Sequence, residues 1–264
     1  MTAVPVQNQS YRLRQFLTLT FALVQRDIAA RYRRSILGPL WAILQPLALM
    51  VVFNLLHVVV EIPSDGMPYL IFSYAALVPW TFFQTTVTRG ATSINANAAI
   101  IKKMAVPREI FPLVAMLSAL FDMSMSGLIL LGMMLIFGVP LTGAVLWLPI
   151  LILITALLGW GIAIGVASLA TFKQDFVYAT DFLLRLWLYA TPVIYPLSSV
   201  PTEWYNLYIL NPVVGLILGF RAILVEGKQP DTSLLAISII ITVVLCALTV
   251  PFFRFMSRYF ADVL

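Results

Sequence analysis

Charged and polar side chains set into apolar surroundings are the residues of this chain with the types and spacing to do chemistry. Asp181 and Arg185 stand four residues apart in an apolar run, so both share one helix face, and Tyr178 and Tyr189 extend it. Charge within a membrane is costly and marks candidate function. Two roles stand side by side here: a stripe facing a water-filled path, or a neutralising pair that fixes packing. Ser118, Asp122 and Ser126 repeat at four-residue spacing in another apolar run. Asp122 has the chemistry of a proton relay, but hydrogen bonding between helices is the favoured reading of that stripe.

Other chemistries find no footing. No Gly-rich loop with Lys-Ser/Thr is present to cradle a nucleotide phosphate. A single histidine, His57, reads as a hydrogen-bonding packing residue, and the single Cys246 lies in an apolar run. No serine, thiol or carboxylate pair has a recognisable catalytic setting, and no cluster has metal-ligand spacing. A membrane-embedded enzyme therefore has no constellation to work with. An ion-coupled transporter using Asp122, Asp181 and Arg185 is the stronger rival, weakened because the two halves show no inverted repeat.

The elements that must carry these residues follow from composition. Of 264 residues, 61% are hydrophobic and only 10% charged, against about 25% charged in soluble domains. Mean hydropathy is +0.98. Six runs approach the 20 or so apolar residues that cross a bilayer: Pro39–Val60, Tyr69–Val87, Pro112–Phe137, Leu146–Ala170, Phe176–Tyr195 and Leu234–Phe253. They predict an all-α integral membrane protein rather than a barrel, whose strands would be shorter and alternating. The first ten residues lack the pattern of a cleaved signal peptide.

With the N-terminus inside, thirteen of the sixteen Lys and Arg residues fall on the inner side. Basic residues on that side fix orientation, so the net charge of +5 needs no nucleic acid to explain it. The stretch RYRRS, with Arg31, Arg33 and Arg34, precedes Ile36–Val60, in which no residue is charged. It anchors the first span. Both termini are expected in the cytoplasm. Residues 1–35 then form a cytoplasmic N-terminus, in which Tyr11–Tyr32 is a basic amphipathic helix lying on the membrane surface. Within it Asp27 and Arg31 are spaced as a favourable helix pair. Residues 36–264 form the membrane domain.

Pro212–Val225 is apolar but has only 14 residues and carries Arg221. It suits a re-entrant segment better than a seventh span. Loop 88–110 is the longest inside loop between spans, with room for a short helix over Asn95–Lys103 that ends near Pro107. Gly161 and Gly165 form a small-residue face, usually a packing device within one chain. Trp187, Tyr189, Tyr195, Trp204, Tyr205 and Tyr208 crowd the outer region, where aromatic residues suit the membrane interface. Their flat faces also suit sugar rings that must slide.

Four blocks occur in order: RDIAARYRRSILGPLWAILQPL, LVPWTFF, IIKKMAVPREIFPL and YATPVIYPLSSVPTEWYNLYILNPVVGLILGFRAIL. With them the chain resembles type-2 ABC transporter permeases of the polysaccharide export group. The O-antigen permeases are nearest, and teichoic-acid and capsule permeases are close relatives. One departure is FKQD, where Gln174 separates Lys173 from Asp175. The resemblance implies two permease copies working with two copies of a separate ATPase, with ATP and Mg on that partner and no cofactor on this chain. It implies ATPase coupling through Asn95, Asn97, Lys102, Lys103 and Arg108, and re-entrant helices over residues 196–225. It implies a polyprenyl-diphosphate-linked glycan as cargo, with Arg31, Arg33 and Arg34 drawing the lipid head group. Tyr178, Asp181, Arg185, Tyr189 and Tyr195 are the expected translocation path in the inner membrane. ABC export of a drug or small lipid remains the close alternative.

Overall fold

The computed structural model describes residues 9–33, 35–104 and 106–264, without the side chains of residues 9–13, 261 and 262. Arg34 therefore lies outside the described residues. Those residues form no strand. The helices are α1 (Gln9–Tyr32), α2 (Leu40–Val60), α3 (Tyr69–Ala96), α4 (Ala98–Lys103), α5 (Ile110–Ile136), α6 (Leu148–Ala170), α7 (Asp175–Tyr189), α8 (Thr202–Tyr208), α9 (Pro212–Leu224), α10 (Thr232–Ser257) and α11 (Phe260–Val263). Five are long and apolar enough to cross a membrane: α2, α3, α5, α6 with its preceding 3-10 turn, and α10.

α3 is the central column. Every residue from Ile71 to Trp80 is buried, whereas α2 and α10 turn broad apolar faces outward. That division follows from the solvent. In lipid an exposed Leu or Val costs nothing, so only the column that meets other helices on all sides is hidden. The small-residue face packs within the chain, as expected. A Cβ on Gly161 would stand 2.8 Å from the Cys246 sulfur, and one on Gly165 would stand 3.0 Å from Thr249, so α6 and α10 approach closely there. His57 also packs as expected. Its Nδ1 lies 2.5 Å from the Ile62 carbonyl, and its ring stacks on Tyr69 at 4.2 Å.

α1 and α10 meet at one end of the molecule, where Leu23, Ile94, Ile110, Phe111, Phe253 and Phe260 form a buried cluster. Both the N-terminal helix and the C-terminal segment thus sit beside the α3–α5 connection. α1 does more than lie on a surface. It packs Phe16, Leu19 and Leu23 into that cluster while Leu17 and Phe21 stay exposed on its other side. The second span continues as helix far beyond Val87, so 88–96 is not loop. TRGATSINA is polar but holds no proline, and its one glycine is required by packing: a Cβ on Gly90 would come within 2.5 Å of Ala163.

The fifth predicted span needs the larger correction. α7 has 15 residues and reaches about 22 Å at 1.5 Å per residue, too little for a hydrocarbon core of about 30 Å. It stops at Tyr189 because Thr191 precedes Pro192, which disfavours helix at that step. Beyond it the backbone runs irregularly through Thr191–Ile194, all four residues buried.

α8 and α9 then meet at a 99° bend, the shape of a broken span or of a re-entrant segment. Both flanks stay at the end opposite α1. Ser198 donates to Asp65 in the α2–α3 connection at 2.9 Å. The Gly227 carbonyl accepts from Thr142 in the α5–α6 connection at 2.8 Å.

α9 sits against α10 so closely that a Cβ on Gly215 would clash with the Leu234 carbonyl and stand 2.5 Å from Ser238 Oγ. Gly215→Ala should therefore destabilise the protein by about 1–3 kcal/mol. Gly132→Ala, with open space around it, should be neutral or gain up to about 1 kcal/mol from helix propensity. Thermal unfolding in detergent measures both.

Candidate functional site

Three polar assemblies interrupt this apolar body. The first ties α1 to the membrane helices. The Asp122 carboxylate of α5 accepts from Arg31 at 2.5 Å, from the Tyr32 hydroxyl at 2.7 Å and from Arg89 of α3 at 3.5 Å. Arg31 also pairs with Asp27 at 2.7 Å, the predicted four-residue pair. Asp122 is thus an interhelical hydrogen-bonding residue, the favoured reading of its stripe. Its neighbour Ser126 donates to the Ala42 carbonyl at 2.7 Å. Burial alone would lower the Arg31 pKa, but the carboxylates of Asp122 and Asp27 outweigh it and hold it above the ordinary value. Burial, reinforced by Asp122, pushes the Tyr32 hydroxyl up to about 12, so it remains a donor. Of the expected head-group arginines, then, Arg31 is committed to carboxylates, and Arg33 is exposed at the end of α1.

The coupling candidates are gathered at the same end. Asn95 closes α3 and donates to the Ala170 carbonyl at 3.1 Å. Asn97 is the break between α3 and α4; it accepts from Arg26 at 2.6 Å and donates to the Ser93 carbonyl at 2.8 Å. The short helix therefore begins at Ala98, three residues later than predicted, because the amides of Asn95 and Asn97 finish the preceding helix. Lys102 donates to the Leu264 carbonyl, Lys103 is exposed, and Arg108 lies over the Phe260 ring at 5.8 Å.

The second assembly runs along α3. Thr81, Gln84, Thr85 and Thr88 line a groove of about 460 Å³ with Gln45 of α2 and Arg89. This stripe escaped the sequence reading, although three- and four-residue spacing of polar side chains inside an apolar run was its visible signal. Thr88 donates to Asp181 at 3.1 Å. That bond corrects a prediction: Asp181 and Arg185 form no ion pair among the described residues. Asp181 turns to α3, and Arg185 is exposed. Tyr178 and Tyr189 are exposed on the same helix, 65% and 59% open.

The third assembly is the backbone break that follows α7. Trp187 donates to Asn211 at 3.0 Å, so this side of α7 faces protein while Tyr189 does not. Tyr195 donates to the Tyr189 carbonyl at 2.8 Å and lies 2.9 Å from the Tyr208 hydroxyl. Trp187, Trp204 and Tyr208 line an apolar cleft of about 490 Å³. Arg221, carried by the short apolar segment, is buried in α9, donates to the carbonyls of Val193 at 3.0 Å and Phe72 at 3.3 Å, and stacks 3.5 Å over the Phe72 ring.

No three His, Cys, Asp or Glu side chains converge as a metal site among the described residues. The long apolar helices make this a multi-pass integral membrane protein. Residues 18–225 match the ABC-2 type transporter family, and the chain belongs to that family. An O-antigen export system permease protein RfbA of Myxococcus xanthus is 32% identical over 257 residues, 95% of this chain and 96% of the relative. One from Klebsiella pneumoniae, of the same name, is 25% identical over 258 residues, 96% and 98% of the two chains. The polysialic acid transport protein KpsM of Escherichia coli is 25% identical over 215 residues, 78% and 81%.

Asp122→Ala should release α1, since it removes the carboxylate from Tyr32 and Arg89 and leaves Arg31 with Asp27 alone, each charged hydrogen bond being worth about 1.5–3 kcal/mol. Faster proteolysis of α1 and a lower unfolding temperature are the expected readouts. In the wild type, the raised Tyr32 pKa makes its share of this link complete below pH 10 and lost as pH rises toward 12. Arg185→Ala should change stability by no more than about 0.5 kcal/mol.

Proposed function

We propose that this chain is the permease subunit of an ATP-driven exporter that carries a polyprenyl-linked polysaccharide of the O-antigen type across the cytoplasmic membrane. The observation that carries this reading is the end-to-end similarity, 32% over 95% of the chain, to an O-antigen export permease. The chain supplies the membrane path. ATP and Mg act on a separate ATPase, two copies of which work with two copies of the permease.

The α1 end is the cytoplasmic one, with both termini there. The inside excess of basic residues supports it. At that end the ATPase meets α4, whose exposed Lys102 and Lys103 stand beside Asn95, Asn97 and Arg108. Asn97 and Arg108 support the shape of this surface through Arg26 and Phe260. Arg33, with Arg34, meets the anionic head group of the lipid-linked glycan. The path itself runs beside α7. Tyr178 and Tyr189 offer exposed, sequence-tolerant stacking faces, Tyr195 frames the outer turn, and Asp181 and Arg185 polarise the same side. A processive exporter must hold each sugar weakly, and flat aromatic faces do so with little directional locking.

Deleting the gene tests the proposal. Surface polysaccharide should disappear and lipid-linked glycan should accumulate inside, with both restored by the plasmid-borne chain. Unchanged surface polysaccharide together with new sensitivity to drugs would favour the small-molecule exporter instead. Replacing Ala98–Lys103 with a flexible linker should leave membrane insertion intact and abolish export and ATPase co-purification. Export at the wild-type level would remove α4 from the coupling role.

A further inference from the structure

Hydroxyls within the helices of this chain are usually turned inward. Thr20, Ser73, Thr155, Ser168, Thr171, Ser238 and Thr242 each donate to the carbonyl four residues earlier. That is the cheapest way to silence a hydroxyl in an apolar setting. Thr81 and Thr85 depart from the pattern. Neither is among the side chains that hydrogen-bond within the described residues, and both line the groove between α2 and α3. Gln45 beside them is exposed to it and likewise has no side-chain partner there. Gln84 is held in place by accepting from the Trp80 indole at 3.2 Å, and Thr88 by Asp181 at 3.1 Å.

The groove has a definite depth. At 1.5 Å per residue, Thr81 stands about 18 Å and Arg89 about 30 Å along α3 from its first residue. The unsatisfied hydroxyls therefore occupy the half of the membrane nearer α1, where an unpaired polar group is costly. Thr86 and Ser118 are also unpartnered but sealed in the interior, whereas these groups face an open groove and can meet a hydrogen-bonding occupant. The occupant must be neutral over most of its length, because every group here except Arg89 is uncharged. It must also be rich in paired donors and acceptors, since hydroxyl and amide side chains offer both. A volume of about 460 Å³ lies within the usual range for ligand clefts.

We infer that Gln45, Thr81 and Thr85 form a hydrogen-bonding ladder for the hydroxyls of a glycan in transit, on the inner half of the path. This rests on the export reading and adds a second contact surface to the aromatic one on α7. The ladder exchanges each sugar's bonds to water for bonds of similar strength, so the chain enters the membrane without a deep well or a high barrier. Thr88 and Gln84 hold the groove's shape. Arg89, 3.5 Å from Asp122, closes its inner end.

The test combines Thr81→Val, Thr85→Val and Gln45→Leu, which keep shape and remove the hydrogen-bonding groups. At matched permease levels and with unchanged ATPase co-purification, export of surface glycan should fall about tenfold, the factor that 1.4 kcal/mol represents. Thr81→Ser with Thr85→Ser should export as the wild type does. Single cysteines at 81 and 85, with Cys246→Ala, should react with a water-soluble maleimide and be protected while glycan is trapped in transit. Wild-type export by the triple variant, or cysteines that never react, would overturn the ladder. So would loss of the dimer in the triple variant, which would make this face a contact between copies. If the unmodified chain itself moves no glycan in the same strain, the failure belongs to the export reading, and the cysteine labelling still reports whether the groove is wet.

Discussion

Backbone that leaves the helical path inside a membrane must find partners for its carbonyls, because lipid offers none. In this protein that constraint falls on Ala190–Tyr195, and Arg221 meets it. Its guanidinium reaches the carbonyls of Val193 and Phe72 while its plane rests on the Phe72 ring. Tyr69 supplies the Ile194 carbonyl at 2.8 Å, and Asn211 supplies Ala190 at 3.2 Å. A lysine there would offer a point charge where a planar fork is needed. With those bonds in place the backbone can leave the helical path after the short α7, and α9 can pack inside the protein. The Trp187, Trp204 and Tyr208 cleft then has a floor.

The opposite end is held by charge. Asp122 gathers Arg31, Tyr32 and Arg89, so a surface helix, the central column and α5 share one carboxylate. The two ends are joined by α3. It supplies Tyr69 and the Phe72 carbonyl at one end, the Thr81–Thr88 stripe in the middle, and Arg89 and Asn95 at the other.

Much of this was legible residue by residue. The four-residue pairing of Asp27 with Arg31 and the Gly161–Gly165 face are local matters that spacing exposes, while the packing role of His57 and the interhelical role of Asp122 were legible from residue type and setting, without their partners. Asp181 and Arg185 show where spacing misleads. Sharing a helix face permits a pair but does not form one. Thr88, ninety-three residues away in sequence, competes for the carboxylate, and Arg185 has an open side to turn to. The α3 stripe was missed for a related reason: its polar residues are scattered among apolar ones, and only the groove makes them a set.

Chain composition by itself determined the solvent, and hence the class. So much apolar surface with so few charges is stable only in lipid, and hydropathy marks the helices because each must satisfy its own backbone there. The order of motifs also carried the family, since it reflects the whole chain at once. Tertiary structure alone decided which carboxylate Arg31 serves and why Arg221 is inside. Those outcomes depend on partners distant in the chain. A charge or a broken backbone segment takes its place from the groups that can satisfy it, and only the packed helices bring those groups within reach.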